Sequence, residues 1–471
     1  MKPRFTVMEI AEAVQGLVFG SENTDVCGVS TDSRTVEPGE LFIPLRGERF
    51  DGHEYIPAAC QRGVRVFLAE RERSAAMELS PEATCICVTD TLRALGDLAS
   101  FHRNRFSPAV IGITGSNGKT TTKEMLASIL SGTGRGLKTS GNLNNLIGLP
   151  HMLFRLHGEH RWAVLEMGMS EPGEIDRLAE IARPAVGVIT NASPAHLLSM
   201  GSVDAVASAK GELLMRLSDG GTAVLNADDP LVSRLPSPAG VRRILFGFGT
   251  GDVVADEIRD LGREGQEFAL SLPSGSVTVR MKVFGRHNIA NALAAAAAAH
   301  ASGVAADDIR AGLESFAPFE KRFAPEDLGG ILLVDDSYNA NPASMRAALV
   351  TVRTLKERGR GIAVLGDMLE LGESSADLHE QIGLLAADTV ERLYLLGEMA
   401  GDIARGAMAG GLPASSILVA KSHGEIIDDA IRFLAKGDCI IVKGSRGMRM
   451  ETVAEGIRKA FRSGMVKGDV N

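Results

Sequence analysis

Ala109-Val110-Ile111-Gly112-Ile113-Thr114-Gly115-Ser116-Asn117-Gly118-Lys119-Thr120-Thr121 is the stretch on which the reading of this chain turns. Its first six residues make an apolar run of the kind that fills a buried strand. Glycines fall at 112, 115 and 118, and residues 121–130 then bring Met125, Leu126, Ile129 and Leu130 onto one helical face. Strand, glycine-rich turn and helix in that order are the context a phosphate loop requires. Glycine lets backbone N–H groups turn inward onto phosphate oxygens, and the helix N-terminus adds partial positive charge. Lys119 would reach the β- and γ-phosphates, and the Thr120 hydroxyl would hold Mg²⁺. The stretch departs from the simple Gly-x-x-x-x-Gly-Lys-Ser/Thr pattern. An ordinary strand-to-helix turn explains the glycines but not Gly-Lys-Thr-Thr at a helix start.

Outward from the loop, short apolar runs alternate with amphipathic stretches, which predicts parallel sheets covered by helices. Strands are expected at residues 162–166, 186–190 and 222–226, a hairpin at 268–272 and 277–283, and an Ala-rich helix at about 288–301. Upstream, residues 64–68 read as a strand and 55–61 and 92–106 as helices, with Ser107-Pro108 a natural boundary. Downstream, residues 316–325, with three aromatics and two prolines, read as a second linker. Strands follow at 331–334, 361–365, 392–396, 416–420 and 439–442. The expected fold is α/β in three domains, at residues 1–106, 107–316 and 317–471.

Composition sets the outer limits. The 471 residues include 50 Lys+Arg and 59 Asp+Glu, a net charge of −9, which argues against nonspecific binding to a nucleic-acid backbone. With 45% apolar and 23% charged residues, a mostly disordered chain is excluded. The cysteines are Cys27, Cys60, Cys85, Cys87 and Cys439, with no Cys-x-x-Cys pair and so no zinc or redox signature. Cys85 and Cys87 read as small core residues of one strand, and a reducing cytoplasm fits. Glu9 and Glu12 interrupt any apolar signal segment, and no apolar run reaches 18 residues, so neither secretion nor a membrane span is expected.

Three further residues sit at positions where α/β sheets bind ligands, near strand carboxyl ends. Glu166 closes the expected strand at 162–166 and suits Mg²⁺; a strand-end carboxylate satisfied by loop N–H groups is the alternative. His196 follows the strand at 186–190, and Lys210 lies on an expected helix at 203–217. Alone, these last two would read as surface groups.

Taken together, the chain resembles the Mur ligase family over nearly its whole length. The resemblance is carried by Thr31-Asp32-Ser33-Arg34, by Leu45 through His53, and by the phosphate loop. It continues in Thr139 through Pro150, Glu166-Met167-Gly168, Ala195-His196, Ala209-Lys210-Gly211-Glu212 and Asn226 through Pro230. Phe284 through Asn291, Asp335-Asp336-Ser337-Tyr338-Asn339-Ala340-Asn341-Pro342, Leu365 through Met368 and Lys443 through Arg446 complete it. The Asp-Ser-Tyr-Asn-Ala-Asn-Pro segment points to the member that adds D-Ala-D-Ala to UDP-MurNAc-tripeptide; no Asp-Asn-Pro-Arg, the mark of the diaminopimelate-adding relative, occurs.

The resemblance implies a UDP-sugar-binding domain, a central ATPase and a Rossmann-like third domain, in a cytoplasmic enzyme taken as a monomer. It implies ATP bound by Gly115, Ser116, Asn117, Gly118, Lys119, Thr120 and Thr121. Asn288 and Asn291 would lie on the adenine side, Arg322 between domains, and Asp336 against the nucleotide from the third domain. Mg²⁺ would be held by Thr120, Glu166 and His196, with Lys210 carbamylated into an anionic oxygen ligand. Ser30, Thr31 and Arg34 would bind the UDP-sugar, and Asn142, Asn144 and Asn145 would line its peptide. Two alternatives stay open: a helix-capping role for His287 and a surface ion pair for Arg34. A folylpolyglutamate synthetase shares the ATPase plan, but the motifs at 31–53 count against it. A nucleotide-gated switch is the non-enzyme reading, weakened for GTP by the lack of Asn-Lys-x-Asp.

Overall fold

The computed structural model describes residues 2–47, 49–74, 82–194, 200–317 and 323–462. The phosphate-loop strand, Ala109–Thr114, lies inside a nine-stranded sheet. From one edge the order is Gly136–Lys138, Trp162–Glu166, Ala109–Thr114, Val186–Ile189, Thr222–Asn226, Arg242–Gly247, Val253–Asp260, Gln266–Leu272 and Gly275–Met281. The first seven strands run parallel and the last two turn antiparallel. Glu166 pairs in register with Ile113, and Ile189 with Thr114, so three strand ends open onto the same loop.

Both faces of this sheet are covered, which is why Val110, Ile111 and Ile113 are all buried. Helices Lys119–Ser131 and Arg286–Ala301 share one apolar cluster, and Glu174–Ala182 and Val203–Met215 share the other. Residues 292–299 of Arg286–Ala301, seven alanines and Leu293, are all buried. Small side chains all round let this helix lie close against both the sheet and the loop helix.

Before the central sheet, five strands pair in the order Leu17–Phe19, Thr84–Val88, Val66–Glu70, Leu41–Phe42 and Val29–Ser30. Cys85 and Cys87 are buried on the second of these, as core residues. After the central sheet, six strands pair in the order Ala324–Asp327, Leu332–Asp336, Cys439–Lys443, Gly361–Gly366, Arg392–Leu396 and Ile417–Ala420. All pairs of this sheet are parallel except the first. Cys439–Lys443, last in sequence, inserts between the first two parallel strands and creates a crevice at their carboxyl ends.

Some boundaries differ from expectation. The strand expected at 64–68 forms at Val66–Glu70, and the hairpin closes through Pro273-Ser274 alone, with Leu272 paired to Gly275. The expected linker at 316–325 ends inside a strand: Ala324–Asp327 pairs antiparallel with Leu332–Asp336. That strand is the sheet's edge, the one place where a proline without an N–H is tolerated. Strands Arg242–Gly247 and Val253–Asp260 were not expected, because their faces carry charged, exposed residues that break the apolar pattern. No described helix is long and apolar enough to cross a membrane.

Candidate active site

The loop helix starts at Lys119 with Gly118 as N-cap at φ 83° and no side-chain cap. Its first-turn N–H groups therefore rely on a ligand or solvent. Gly115 has φ 148°, and an added Cβ would lie 1.9 Å from Thr190 Oγ1; at Gly118 it would lie 2.1 Å from Asn291 Oδ1. Glycine is required at both positions by conformation and by the close approach of the neighbouring segments.

The segment Thr190 to Ser193 shapes the loop. Ser116 N–H donates to the Asn191 carbonyl at 3.0 Å and Asn117 N–H to Asn191 Oδ1 at 2.9 Å. Ser116 Oγ donates to the Ser193 carbonyl and accepts the Ser193 N–H, both at 3.0 Å. Asn226 Nδ2 braces the Thr190 carbonyl at 2.8 Å. Two of the loop residues expected to bind phosphate, Ser116 and Asn117, thus have their N–H groups engaged by protein. Gly118, Lys119, Thr120 and Thr121, at the start of the helix, line the cleft.

Glu166 is buried at the end of its strand, 3% exposed. Thr120 Oγ1 donates to its Oε2 at 2.8 Å, and Asn144 Nδ2 to its Oε1 at 2.9 Å. Its N–H donates to Thr139 Oγ1 at 2.9 Å. The buried Lys123 ammonium lies 4.0 Å from Oε2 and donates to the Thr139 carbonyl at 2.8 Å. A buried carboxylate beside a hydroxyl, open to a phosphate loop, is a hard-oxygen donor set that suits Mg²⁺ completed by phosphate oxygens. Among the described residues no three His, Cys, Asp or Glu side chains converge on one point, so a metal here would need such outside ligands.

Lys119 Nζ donates to the Gly115 carbonyl at 2.7 Å, folded back over its own loop. Lys210 is buried on Val203–Met215, and burial, with the nearby Lys119 charge, holds its amine down at about 7. A lysine at that value is about half unprotonated in neutral solution.

The third unit closes the cleft, which encloses about 500 Å³. Lys443 donates to Asp336 Oδ2 at 2.6 Å and to the Asn339 carbonyl at 2.9 Å. Asn341 Nδ2 donates to Asn117 Oδ1 at 2.6 Å, joining the units across the loop. His287 lies in the cleft wall, its ring edge-on to Phe323 at 5.9 Å. Burial holds its imidazole down at about 4, with Asp336 opposing and Lys443 adding to the effect. It does not cap its helix, whose N-cap is Gly285 without a side-chain bond.

Thr120, Glu166, Lys119, Asn288, Asn291 and Asp336 come together at this cleft. Asn288 and Asn291 each place one amide N–H internally, on the Phe284 carbonyl at 2.9 Å and on Asn288 Oδ1 at 3.3 Å. His196 and Arg322 lie outside the described residues. Asn144 turns to Glu166, while Asn145 Oδ1 accepts the N–H groups of Ile147 and Gly148 and Asn142 is exposed. Ser30 closes a turn with Asp32, and Thr31 Oγ1 meets His151 Nε2 at 3.2 Å. Arg34 makes two side-chain bonds to Asp32, at 2.9 and 2.7 Å, which hold that carboxyl down at about 2. Sequence reasoning missed Lys123, Thr139 and the Thr190–Ser193 template. Lys123 had one signal, its position one turn beyond Lys119 on an otherwise apolar helix face.

Family models match the three units in turn: "Mur ligase family, catalytic domain" over residues 25–103, "Mur ligase middle domain" over 113–299 and "Mur ligase, glutamate ligase domain" over 321–446. The chain is 35% identical to the UDP-N-acetylmuramoyl-tripeptide–D-alanyl-D-alanine ligase of Bacillus subtilis (strain 168), covering 96% of this chain and 97% of that one. It superposes on a crystal structure of MurF from Acinetobacter baumannii with a TM-score of 0.88 at 34% identity, covering 97% and 99% of the two chains. The MurF ligase of Thermotoga maritima in complex with ADP gives a TM-score of 0.83 at 30% identity, over 92% and 98%. With its three units matched in order and its full length covered by relatives of this kind, the chain belongs to the Mur ligase family of ATP-dependent amide-bond ligases.

Proposed function

We propose that this chain joins D-Ala-D-Ala to UDP-MurNAc-tripeptide, making the pentapeptide precursor of peptidoglycan as ATP is cleaved to ADP and phosphate. The observation that carries the reading is the Thr120–Glu166 pair beneath a Lys119-bearing loop, in a chain that parallels ligases of this name end to end. Residues 1–106 would bind the UDP-sugar through Ser30, Thr31 and Arg34, residues 107–316 would bind ATP, and the Rossmann-like residues 317–471 would close over both. Every residue given a role in this reading belongs to one chain, so the reading is of a monomer, working in the cytoplasm where ATP and the UDP-linked precursor meet.

A carboxylate is a poor acyl donor because oxide is a poor leaving group. In the proposed reaction the tripeptide's terminal carboxylate attacks the γ-phosphate, ADP leaves, and an acyl phosphate remains. The amine of D-Ala-D-Ala then attacks the acyl carbon and phosphate departs. Lys119 swings from the Gly115 carbonyl to the β- and γ-phosphates, and the first-turn N–H groups of its helix hold their oxygens. Thr120 and Glu166, with His196 and a carbamylated Lys210, would hold Mg²⁺. When bound, Mg²⁺ neutralises phosphate charge, so that an anionic carboxylate can approach it. Asn144 orients the Glu166 carboxylate, and Lys123 balances its charge from below. The neutral amine of Lys210 is the form that adds CO₂, which supports the carbamate.

Incubating the purified chain with ATP, Mg²⁺, D-Ala-D-Ala and each of two tripeptide precursors, with diaminopimelate or lysine as third residue, tests the reading. A product heavier by one dipeptide, with one ADP per product, is expected from one or both precursors. ADP release that ignores both substrates would refute it and favour a nucleotide switch.

A further inference from the structure

Every polar atom of Asn117 is engaged by protein. Its N–H donates to Asn191 Oδ1 at 2.9 Å, and its carbonyl accepts Thr190 Oγ1 at 2.6 Å and Asn191 Nδ2 at 3.1 Å. Its side-chain Nδ2 donates to Ser193 Oγ at 2.9 Å, and its Oδ1 accepts Asn341 Nδ2 at 2.6 Å. Its backbone N–H, the group a phosphate loop would turn onto a phosphate oxygen, is already given to Asn191.

Asn341 is equally committed. It is the N-cap of helix Pro342–Leu355, where its Oδ1 accepts the Ser344 N–H at 2.9 Å and its own N–H donates to Ser344 Oγ at 3.0 Å. A backbone N–H can only donate, so Ser344 fixes which end of the Asn341 amide is oxygen. The Nδ2 must then face Asn117, and Asn117 must present oxygen to it and its own Nδ2 to Ser193. The orientations along the chain of bonds are mutually consistent, from a helix cap in the third unit to the loop at 190–193 in the central one.

We propose that Asn341 is a positioning residue for the ligation: through Asn117 it docks the third unit onto the phosphate loop, and Asn117 serves as a relay between units. The helix cap and the interdomain bond use different atoms of one side chain, so the docked geometry is rigid at the point of contact. The two residues lie at the cleft wall, so undocking would open the cleft that holds the reacting groups.

The test uses the full chain and three variants. Asn341→Ser keeps a cap-competent side chain but is too short to reach Asn117, and Asn341→Thr serves if the serine variant is unstable. Asn117→Ala removes the side-chain bonds and leaves its backbone bonds to Thr190 and Asn191. The third variant combines Asn341→Ser with Asn117→Ala. Small-angle scattering with ADP and Mg²⁺ reads docking as the radius of gyration, and turnover reads its consequence. Each single change should enlarge the radius of gyration and lower kcat about tenfold, and the double variant should be no worse than the worse single one. An unchanged radius of gyration in Asn341→Ser, with or without a fall in kcat, would overturn the proposal. So would a double variant that loses the product of the two single effects. The kinetic arm rests on the proposed ligase activity, whereas the scattering arm does not: a chain that ligates nothing yet expands on substitution would sink the activity and leave the docking intact.

Discussion

The Thr120 hydroxyl donates a hydrogen bond to Glu166 Oε2 at 2.8 Å, where the first turn of helix Lys119–Ser131 meets the carboxyl end of strand Trp162–Glu166. The hydroxyl belongs to a helix start and the carboxylate to a strand end, and parallel pairing of that strand with Ala109–Thr114 brings them together. A helix start suited to phosphate and a carboxylate suited to Mg²⁺ thereby share one cleft without any loop having to reach across it.

Lys119 lies at the start of its helix, its ammonium donating to the Gly115 carbonyl and not packed into a core cluster, so its removal should spare the fold. Lys119→Ala is expected to keep its melting temperature within a few degrees and to lose at least about a hundredfold in turnover, roughly 3 kcal/mol of transition-state stabilisation. Thermal melts and steady-state kinetics on the same preparation check it; near-normal turnover would remove Lys119 from the chemistry.

Gly118 cannot carry a side chain without displacing Asn291, whose Oδ1 would stand 2.1 Å from the new Cβ. Gly118→Ala is expected to weaken ADP binding at least about tenfold by moving the loop, with positive-φ strain added. Calorimetric titration with ADP checks it, against Gly249→Ala as a control: that glycine also has positive φ, with nothing within 4 Å of its Cβ position.

Burial holds Lys210 at about 7, and only its unprotonated amine can add CO₂. Between pH 6 and pH 8 the unprotonated share climbs from about a tenth to about nine-tenths. After CO₂ is stripped, reactivation at one fixed concentration of dissolved CO₂ should therefore be severalfold faster at pH 8 than at pH 6. Lys210→Ala should be nearly inactive and partly rescued by short carboxylic acids. Full activity of the alanine variant without rescue would end the carbamate reading.

His287 is held down at about 4 from an ordinary 6.5. Between these values the unfolded chain binds a proton that the folded chain refuses, so this contribution to stability is complete above pH 6.5 and lost as pH falls toward 4. The loss is about 3 kcal/mol at most. Denaturant melts should show a smaller decline over that interval in His287→Gln than in the unaltered chain. Equal declines would mean that the ring is hydrated.

Much of this was legible in the chain itself. The loop strand, Glu166 at a strand end and the apolar faces of Lys119–Ser131 all follow from local periodicity, and local periodicity is what sequence expresses. Residues whose roles depend on non-local partners were not legible. Asn144 stands among neighbours suited to lining a peptide, yet 22 residues along the chain it meets Glu166. Asn117 reads as a phosphate ligand because it sits in the loop, and only the fold reveals its bond to Asn341, 224 residues away. The charged faces of Arg242–Gly247 and Val253–Asp260 hid two strands for the same reason: their pairing partners, not their own pattern, hold them in the sheet.

The central claim is that a carboxylate takes a phosphoryl group from ATP at the foot of this loop before an amine displaces it. Labelling both oxygens of the tripeptide's terminal carboxylate with ¹⁸O and measuring the released phosphate by mass spectrometry tests it most directly. Every phosphate formed with product should carry one labelled oxygen, passed on when the bridging atom leaves with phosphorus. Unlabelled phosphate, formed in step with product, would mean that the carboxylate never bonded to phosphorus and would contradict the account.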